Sequence, residues 1–304
     1  NVVEWYDFAL YGCLSGVIAP VFFPDGNLTA ALIATYGIFA AGFIMRPLGS
    51  VVFGWLGDTV GRSRTMLISV ALMTFPTFLL GALPTYSAIG VWAPLCLVLI
   101  RLTQGLSVGG EFSSSVTYLV ETSPEGQRGL SGSWANVGSM FGMLLGSGMA
   151  SLVTNALEQQ SLISWGRRLP FLLAGVMGTV AVILRRHIPK SEHFQKHVQG
   201  REENSPIKEA FLVNTKETIQ GALFASAYGA VFYISLVFIP TWLKEYVKAT
   251  TTMDNAMIFN TIAIALVVFL APVAGWVSDV FLRRTRLLVL VFGIGTLSAF
   301  ITLL

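Results

Sequence analysis

Two carboxylic acids and a tyrosine near the start of the chain have the spacing of one helical stripe. Glu4 and Asp7 are three residues apart, and Asp7 and Tyr11 are four apart, so a helix places all three on one face. A carboxylic acid held away from water binds its proton more tightly and releases it when water returns. The spacing favours Glu4 and Asp7 as proton carriers, with Tyr11 beside them. For Glu4, contact with a headgroup or a loop arginine is an equal alternative.

A later apolar stretch holds a second polar set. Gln104 and Glu111 are seven residues apart and share a helical face, with Arg101 beside them. A guanidinium is a planar fork of five donors that suits a carboxylate. We therefore expect Arg101 and Gln104 to bind a ligand, and Glu111 to pair with Arg101 in the empty site or to carry a proton. The alternative is a permanent Arg101–Glu111 pair that only fixes helix packing.

Arg46 is a further charged residue inside an apolar stretch. It is a candidate second anchor for an anion. Because Pro47 follows it, and a proline frees a backbone carbonyl one turn earlier, the alternative is that Arg46 satisfies that carbonyl. The sequence does not separate the two.

The elements that hold these residues are apolar stretches of membrane-crossing length. The chain is 54% hydrophobic and 12% charged, with a mean hydropathy of +0.70, against about a quarter charged in soluble domains. A helix of about 20 residues is about as long as the hydrocarbon core of a bilayer is thick, so it can cross the membrane. We predict an all-α membrane protein with spans near 2–24, 30–56, 65–85, 92–120, 129–153, 169–187, 217–243, 255–277 and 286–304.

Lysine and arginine predict the orientation of these spans. Thirteen of the nineteen fall in the loops that follow even-numbered spans, and four fall in the opposite loops. Such residues accumulate on the cytoplasmic side, so the N-terminus is predicted to be cytoplasmic. We divide the chain into a six-helix bundle (1–187), a cytoplasmic loop (188–216) and the first three helices of a second bundle (217–304). For the histidines near that loop, His187, His193 and His197, a solvated polar helix is favoured over a metal site.

An internal repeat supports two related halves. The segment GWLGD at 54–58 returns 221 residues later as GWVSD at 275–279, and Arg62 then aligns with Arg283. Both copies lie where a span emerges on the predicted cytoplasmic side, as expected of two parallel six-helix bundles. On this interpretation the chain contains about nine of twelve spans.

Several motifs point to one family. The segment from Gly54 to Arg64, GWLGDTVGRSR, resembles the loop motif of the major facilitator superfamily, and Glu121 followed by Arg128 resembles a second signature of that superfamily. Four stretches resemble, more narrowly, the metabolite:proton symporters, which include proline/betaine and α-ketoglutarate permeases. They are EWYDFALYG at 4–12, FIMRPLG at 43–49, QGLSVGGE at 104–111 and WGRRLPF at 165–171.

The resemblance implies a fold of two six-helix bundles that work by alternating access, with a proton as coupling ion and no other cofactor. It implies a small polar substrate, a carboxylate or a zwitterion, a position in a bacterial inner membrane and function as a monomer. Residues 131–148 lean towards the proline/betaine permeases, while Arg101 leans towards the α-ketoglutarate permeases, so the substrate stays open. The resemblance also favours a cytoplasmic gate; the alternative is that its arginines are present only because cytoplasmic loops are rich in arginine. The gate candidates are Asp58, Arg62, Arg64, Glu121, Arg128, Asp279 and Arg283.

Aromatic and amide residues of later spans are weaker candidates for substrate contact. The rings of Trp134, Tyr228 and Tyr233 are able to hold a quaternary ammonium through cation–π attraction, and Asn136 lies two residues after Trp134. Packing or interface anchoring is the commoner role of such residues. The glycines of the fifth span, which recur every four residues from 138 to 146, predict close approach of a neighbouring helix.

Other functions find little support in the sequence. There is no Gly-rich phosphate loop, no His-Glu-x-x-His and no nucleophile elbow, which argues against an ATP-driven pump or a hydrolase. Loop placement explains the net charge of +3, so nucleic acid is not implied. A secondary transporter, not an enzyme, is the preferred interpretation; a receptor on a transporter scaffold and a channel are the alternatives.

Overall fold

The computed structural model describes residues 1–24, 27–186, 212–234, 253–281 and 286–294. Within these ranges the chain is helical, with no β-strand. The first bundle contains α1 (Val2–Phe22), α2 (Leu28–Thr59), α3 (Arg62–Ala82), α4 (Tyr86–Ile89), α5 (Trp92–Glu121), α6 (Arg128–Ala156), α7 (Gln159–Ser161), a π-helical turn (Leu162–Gly166) and α8 (Arg168–Arg185). Beyond it lie α9 (Thr215–Tyr233), α10 (Met253–Val280) and a helical stretch at 286–294.

Membrane-length helices coincide with most of the predicted spans. Seven helical segments in the described ranges are long and apolar enough to cross a membrane, and they match the first six predicted spans and the eighth. The seventh and ninth predicted spans extend into 235–252 and 295–304, outside the described residues. The all-α membrane fold is therefore confirmed. The division into two bundles with a loop at 188–216 stays a prediction, because most of that loop lies outside the described ranges.

Helix α1 lies at the centre of the bundle. Its apolar residues, including Leu10, Leu14 and Ile18, form the core with residues of α5, α6 and α8. Because nearly the whole first half of α1 is buried, its acidic residues are buried as well: Glu4 is 3% exposed and Asp7 is 1% exposed. A carboxylate in this position needs a partner supplied by a neighbouring helix.

Glycines bring α2 and α5 into close contact. At Gly49, Gly105 and Gly109 an added Cβ would overlap backbone oxygen atoms of the facing helix. Ser50 Oγ also donates to the carbonyl oxygen of Gly109 at 2.7 Å. In a lipid environment helices associate through such packing and not through apolar burial. This contact positions Arg46 on α2 opposite α5, which carries Arg101.

The glycine repeat of the fifth span packs against α1, as the sequence predicted. At Gly142 and Gly146, added Cβ atoms would overlap the carbonyl oxygens of Val2 and Tyr6. At Gly138 a Cβ would make only an ordinary contact, 3.6 Å from Val2 Cγ2. The interface therefore depends on two of the three glycines.

The loop motif between α2 and α3 contains a glycine in a conformation that other residues avoid. Gly61 has φ 104° immediately before α3 begins, and residues other than glycine rarely adopt a positive φ. The motif therefore requires glycine here for a steric reason. In the second copy Leu282 stands at the equivalent position, outside the described residues.

Candidate functional site

Asp7 and Arg101 form a buried ion pair between α1 and α5. Asp7 Oδ2 lies 2.6 Å from Arg101 Nη1, and the two side chains are 1% and 5% exposed. Removing one partner of such a pair costs about 3–5 kcal/mol, because the other charge is left buried and uncompensated. The two charges are thus stable as a neutral unit, and any event that neutralises Asp7 frees Arg101.

Gln104 connects this ion pair to α3. Its Nε2 donates to Asp7 Oδ1 at 3.2 Å and to Thr77 Oγ1 at 2.7 Å. The Thr77 hydroxyl in turn donates to the Met73 carbonyl oxygen at 2.8 Å. Gln104 Oε1 is buried and has no hydrogen-bond partner within the described residues.

The guanidinium of Arg101 is held flat against an aromatic ring. Its Cζ lies 3.7 Å from the centroid of the Tyr11 ring, and the Tyr11 hydroxyl donates to the Thr35 carbonyl oxygen at 3.1 Å. Phe39 stacks on Tyr11, with centroids 5.4 Å apart. Within the described part of the chain, Arg101 Nε and Nη2 are buried without a hydrogen-bond partner, so two donors of this arginine are available to a ligand.

A small cavity opens beside the pair, lined by residues of α1, α2, α3 and α5. Its polar lining brings together five of the predicted residues: Glu4, Asp7, Arg46, Arg101 and Gln104. These side chains come from three helices and from stretches far apart in sequence. The sequence indicated these residues separately in the first, second and fourth spans, and the structure places the five around one cavity.

Arg46 also rests on aromatic rings of the cavity. Its Cζ lies 4.1 Å from the centroid of Phe43 and 5.6 Å from that of Phe8. Its Nε is buried with no hydrogen-bond partner in the described ranges, and the same holds for Glu4 Oε2. The cavity therefore presents unpaired donors and unpaired acceptors to the same small volume.

Glu111 lies in a different environment from the one the sequence suggested. It pairs with Arg185 of α8, whose Nη2 is 3.0 Å from Glu111 Oε1, and the backbone nitrogen of Asn1 is 2.7 Å from the same oxygen. Arg185 also donates to the Met66 carbonyl oxygen at 2.8 Å. The suggested Arg101–Glu111 pair is not formed. Ten residues of helix separate the two by about 15 Å along the axis, so Asp7 on the neighbouring helix is the nearer partner.

Among the predicted gate residues, Asp279 at the end of α10 has the most clearly defined hydrogen bonds. Its Oδ1 and Oδ2 accept hydrogen bonds of 2.8 Å each from the backbone nitrogens of Gly129 and Leu130, in the first turn of α6. A carboxylate at a helix N-terminus satisfies free N–H groups and complements the helix dipole. Close packing accompanies it, because a Cβ at Gly275 would lie 2.6 Å from the Gly129 oxygen.

The other gate candidates surround these helix ends. Asp58 and Glu121 are half-buried, and Arg64 and Arg128 are exposed. The side chain of Arg62 and the whole of Arg283 lie outside the described part of the structure.

The aromatic candidates of the later spans are not among the described residues that line the cavity. Tyr228 donates to Asn136 Oδ1 at 3.2 Å and so links α9 to α6, while Trp134 is 55% exposed on the bundle surface. The side chain of Tyr233 lies outside the described residues. The rings that do line the cavity are Phe8, Phe39 and Phe43 of the first two spans.

Sequence reasoning missed two residues that complete these sites. Thr77 orients Gln104, and a threonine inside an apolar helix carries no signal that separates it from ordinary packing. Arg185 lies at the end of the sixth predicted span and of α8, and it was not singled out from the sequence. A charged residue at the end of an apolar span was the available signal.

No group of three or more metal-ligating side chains occurs in the residues that the structure describes. His187, His193 and His197 fall in the range 187–211, which lies outside that part. Cys13 and Cys96 are free thiols.

Seven membrane-length helical segments in the described ranges, with a small cavity that holds charges of both signs, define a polytopic helical membrane protein. The chain belongs to the Major Facilitator Superfamily, whose family model matches residues 6–304. The family resemblance drawn from the loop motif is therefore confirmed.

Curated relatives are metabolite transporters, not enzymes. The alpha-ketoglutarate permease of Escherichia coli K12 is 37% identical over 99% of this chain and 68% of its own length. The glycine betaine/proline/ectoine/pipecolic acid transporter OusA of Dickeya dadantii is 34% identical over 93% of this chain. A proline/betaine transporter of Salmonella typhimurium is 32% identical over the same share. The chain spans 58% of the length of each of the latter two relatives.

Solved structures share the fold. The proton:xylose symporter XylE superposes with a TM-score of 0.71 at 16% identity, covering 93% of this chain and 68% of that one. A partially occluded inward-open form of XylE from Escherichia coli gives 0.64 at 19% identity, covering 93% and 72%. At this identity the likeness shows the fold alone.

Proposed function

We propose that the protein is a proton-coupled symporter that carries a small carboxylate or zwitterion across a bacterial inner membrane by alternating access. The observation that carries the proposal is the buried Asp7–Arg101 pair, which lines a small cavity in a member of this superfamily. The named relatives transport proline, betaines or α-ketoglutarate, all of which carry a carboxylate. The protein acts as a monomer with a cytoplasmic N-terminus and needs no cofactor beyond the proton.

Charge balance couples the two solutes. While Asp7 is ionised it neutralises Arg101, so the site has little net attraction for an anion. When Asp7 takes a proton, Arg101 is left uncompensated in a buried site, where an unpaired charge is costly. A substrate carboxylate restores the balance through the fork of donors on Arg101. Proton and substrate are thereby most stable when bound together, which is the requirement for symport.

The remaining charged residues extend this scheme. Glu4 and Arg46 line the same cavity; we assign Glu4 to proton transfer and Arg46 to a second contact with the substrate. Glu111 and Arg185 form a second pair outside the cavity, and we assign Glu111 to the proton path between the cavity and the cytoplasm. Each acid has an arginine within electrostatic range, so loss of a proton leaves no isolated charge.

Removal of the arginine tests substrate binding. A thermal-shift screen of the full-length protein with proline, glycine betaine, α-ketoglutarate, citrate and shikimate should reveal at least one stabilising compound. Arg101→Ala should erase that shift, because the carboxylate loses its principal donors. Arg168→Ala, which removes an arginine that does not line the cavity, is the control and should retain the shift. A full shift in Arg101→Ala would refute the binding role.

The Asp279 contact provides a test of the gate. Asp279→Ala removes both hydrogen bonds to the N-terminus of α6, which are worth about 1.5–3 kcal/mol each when the acceptor is charged. In a background with Cys13 and Cys96 replaced by serine, a cysteine at the exposed Gln127 should react faster with an impermeant maleimide applied to the cytoplasmic face. Asp279→Asn, which keeps one acceptor, should give an intermediate rate. Equal rates in all three proteins would exclude the gate role of this contact.

Counterflow in proteoliposomes separates transport from its alternatives. A carrier exchanges labelled for unlabelled substrate without net driving force, whereas a receptor on this scaffold binds substrate without exchange. A channel conducts without saturable counterflow. Binding without exchange would replace the symporter proposal with the receptor.

A further inference from the structure

We propose that the cavity selects carboxylates that also carry an N–H or O–H donor, and that Thr77 sets this selectivity by fixing the amide of Gln104. The proposal deepens the proposed function by naming the substrate class of the same site. It rests on the hydrogen-bond partners of the Gln104 amide and on the groups that remain unpaired around the cavity.

The orientation of the Gln104 amide follows from its two neighbours. Thr77 donates its hydroxyl hydrogen to the Met73 carbonyl oxygen, so towards Gln104 it offers only lone pairs. While Asp7 is ionised and paired with Arg101, it is also an acceptor; after Asp7 takes a proton, the Thr77 hydroxyl still offers only lone pairs to the amide. Two acceptors on the same side require the NH₂ end of the amide, and Nε2 makes both bonds. The carbonyl oxygen Oε1 therefore faces the other way.

Gln104 Oε1 consequently remains an acceptor without a donor. It is buried, and no described residue donates to it; the side chain is 2% exposed and lines the cavity. Glu4 Oε2 is a second unpaired acceptor on the same cavity. A buried acceptor left unsatisfied is costly, so a ligand that supplies a donor here binds more tightly than one that cannot.

The aromatic rings in and beside the cavity already have partners. Arg46 lies over Phe43, with its Cζ 4.1 Å from the ring centroid, and Arg101 lies over Tyr11, which is beside the cavity, at 3.7 Å. Phe39 stacks on Tyr11 and contacts Phe8 at 4.8 Å between centroids. A quaternary ammonium needs free ring faces around it, whereas Phe43 already carries a cation and Phe39 already stacks on another ring. The cavity therefore favours a hydrogen-bonding cation or a hydroxyl group over a fully methylated one.

Stepwise methylation of one amino acid provides the test. Glycine, sarcosine, dimethylglycine and glycine betaine share a carboxylate and carry progressively fewer N–H groups, the last having none. Their competition for counterflow in the full-length protein should weaken most at the final step, by about tenfold or more, because only that step removes the last donor. The N-methyl and N,N-dimethyl derivatives of proline should show the same break. Glycine betaine binding as well as dimethylglycine would overturn the proposal.

Thr77→Val measures the contribution of the positioning residue. The substitution keeps the shape of the side chain but removes the acceptor that orients Gln104, so the ratio of dimethylglycine to glycine betaine affinity should fall towards one. Thr74→Val is the matched control: Thr74 is buried on the same helix, and its hydroxyl makes no hydrogen bond to any described residue. It should leave the ratio unchanged. An unaltered ratio in Thr77→Val would remove Thr77 from the selectivity mechanism.

Failure of this inference is distinguishable from failure of the proposed function. If Arg101→Ala abolishes binding of every compound in the series while N–H content makes no difference, the carboxylate site stands and the donor selectivity is wrong. If the wild-type protein shows saturable counterflow with none of these compounds and with none of the carboxylates of the thermal-shift screen, both the donor selectivity and the proposed function are wrong.

Discussion

Asp7→Asn is expected to abolish pH-driven accumulation of substrate while preserving counterflow. A one-proton symporter can concentrate an electroneutral proton–anion pair about tenfold for each pH unit of gradient, since one unit corresponds to ~1.4 kcal/mol. Asparagine resembles the protonated acid, so the variant should bind substrate without needing a proton. Its accumulation ratio should fall to about one, and its binding affinity should lose its dependence on pH.

Two further variants make this measurement decisive. Glu111→Gln should also lose pH-driven uptake, because it removes the second acid of the proposed proton path. Glu125→Gln changes an exposed carboxylate outside the bundle core and should behave as wild type. Full pH-driven accumulation in both Asp7→Asn and Glu111→Gln would refute the assignment of proton coupling to these residues.

Gly109→Ala is expected to separate α2 from α5 and to destabilise the whole bundle. The added methyl would overlap the Arg46 carbonyl oxygen and would lie 2.8 Å from the Ser50 nitrogen. Both obstacles are backbone atoms, which cannot move aside without displacing the helix. Overpacking of this kind typically costs about 1–3 kcal/mol, and the Ser50–Gly109 hydrogen bond would be lost with it. The melting temperature in detergent should therefore fall, and substrate affinity should fall with it because Arg46 and Arg101 move apart.

Gly37→Ala is the matched control for this prediction. Gly37 is a glycine of α2, the helix that faces Gly109 of α5, but an added Cβ there meets no atom within 4 Å. Both substitutions gain the same helix propensity, about 1 kcal/mol, so their difference isolates the steric contact. Equal melting temperatures for the two variants would show that the close approach of these helices is not needed for stability.

The sequence was sufficient to predict most of the helices and to single out five of the residues that line the cavity. The positions of the spans follow from the lengths of the apolar stretches, which the thickness of the bilayer sets. Seven spans could therefore be predicted without knowledge of the tertiary contacts. Glu4, Asp7, Arg46, Arg101 and Gln104 were identifiable because charged or amide groups inside such spans are costly and need a compensating function. Their convergence on one cavity followed from that cost, since only neighbouring helices can supply partners.

The pairing of the charges could not be predicted in the same way. Arg101 was assigned to Glu111 because both are on one helix, but which partner it meets depends on how α1 packs against α5. The glycines that bring α6 against α1 and α2 against α5 contribute to that arrangement, but glycine is common in membrane helices and does not reveal its partner helix in the sequence. The separate Glu111–Arg185 pair was missed for the same reason, as it depends on the position of α8.

The stacking of Arg46 and Arg101 on aromatic rings has a consequence for the speed and strength of substrate capture. A long arginine side chain loses up to about 2 kcal/mol of rotamer entropy when it is immobilised. Here both guanidinium groups are restrained before any solute arrives, so that loss belongs to folding and not to binding. A solute with only a handful of atoms, which has little contact area to offer, can then bind through a few directed bonds to groups that are already in place.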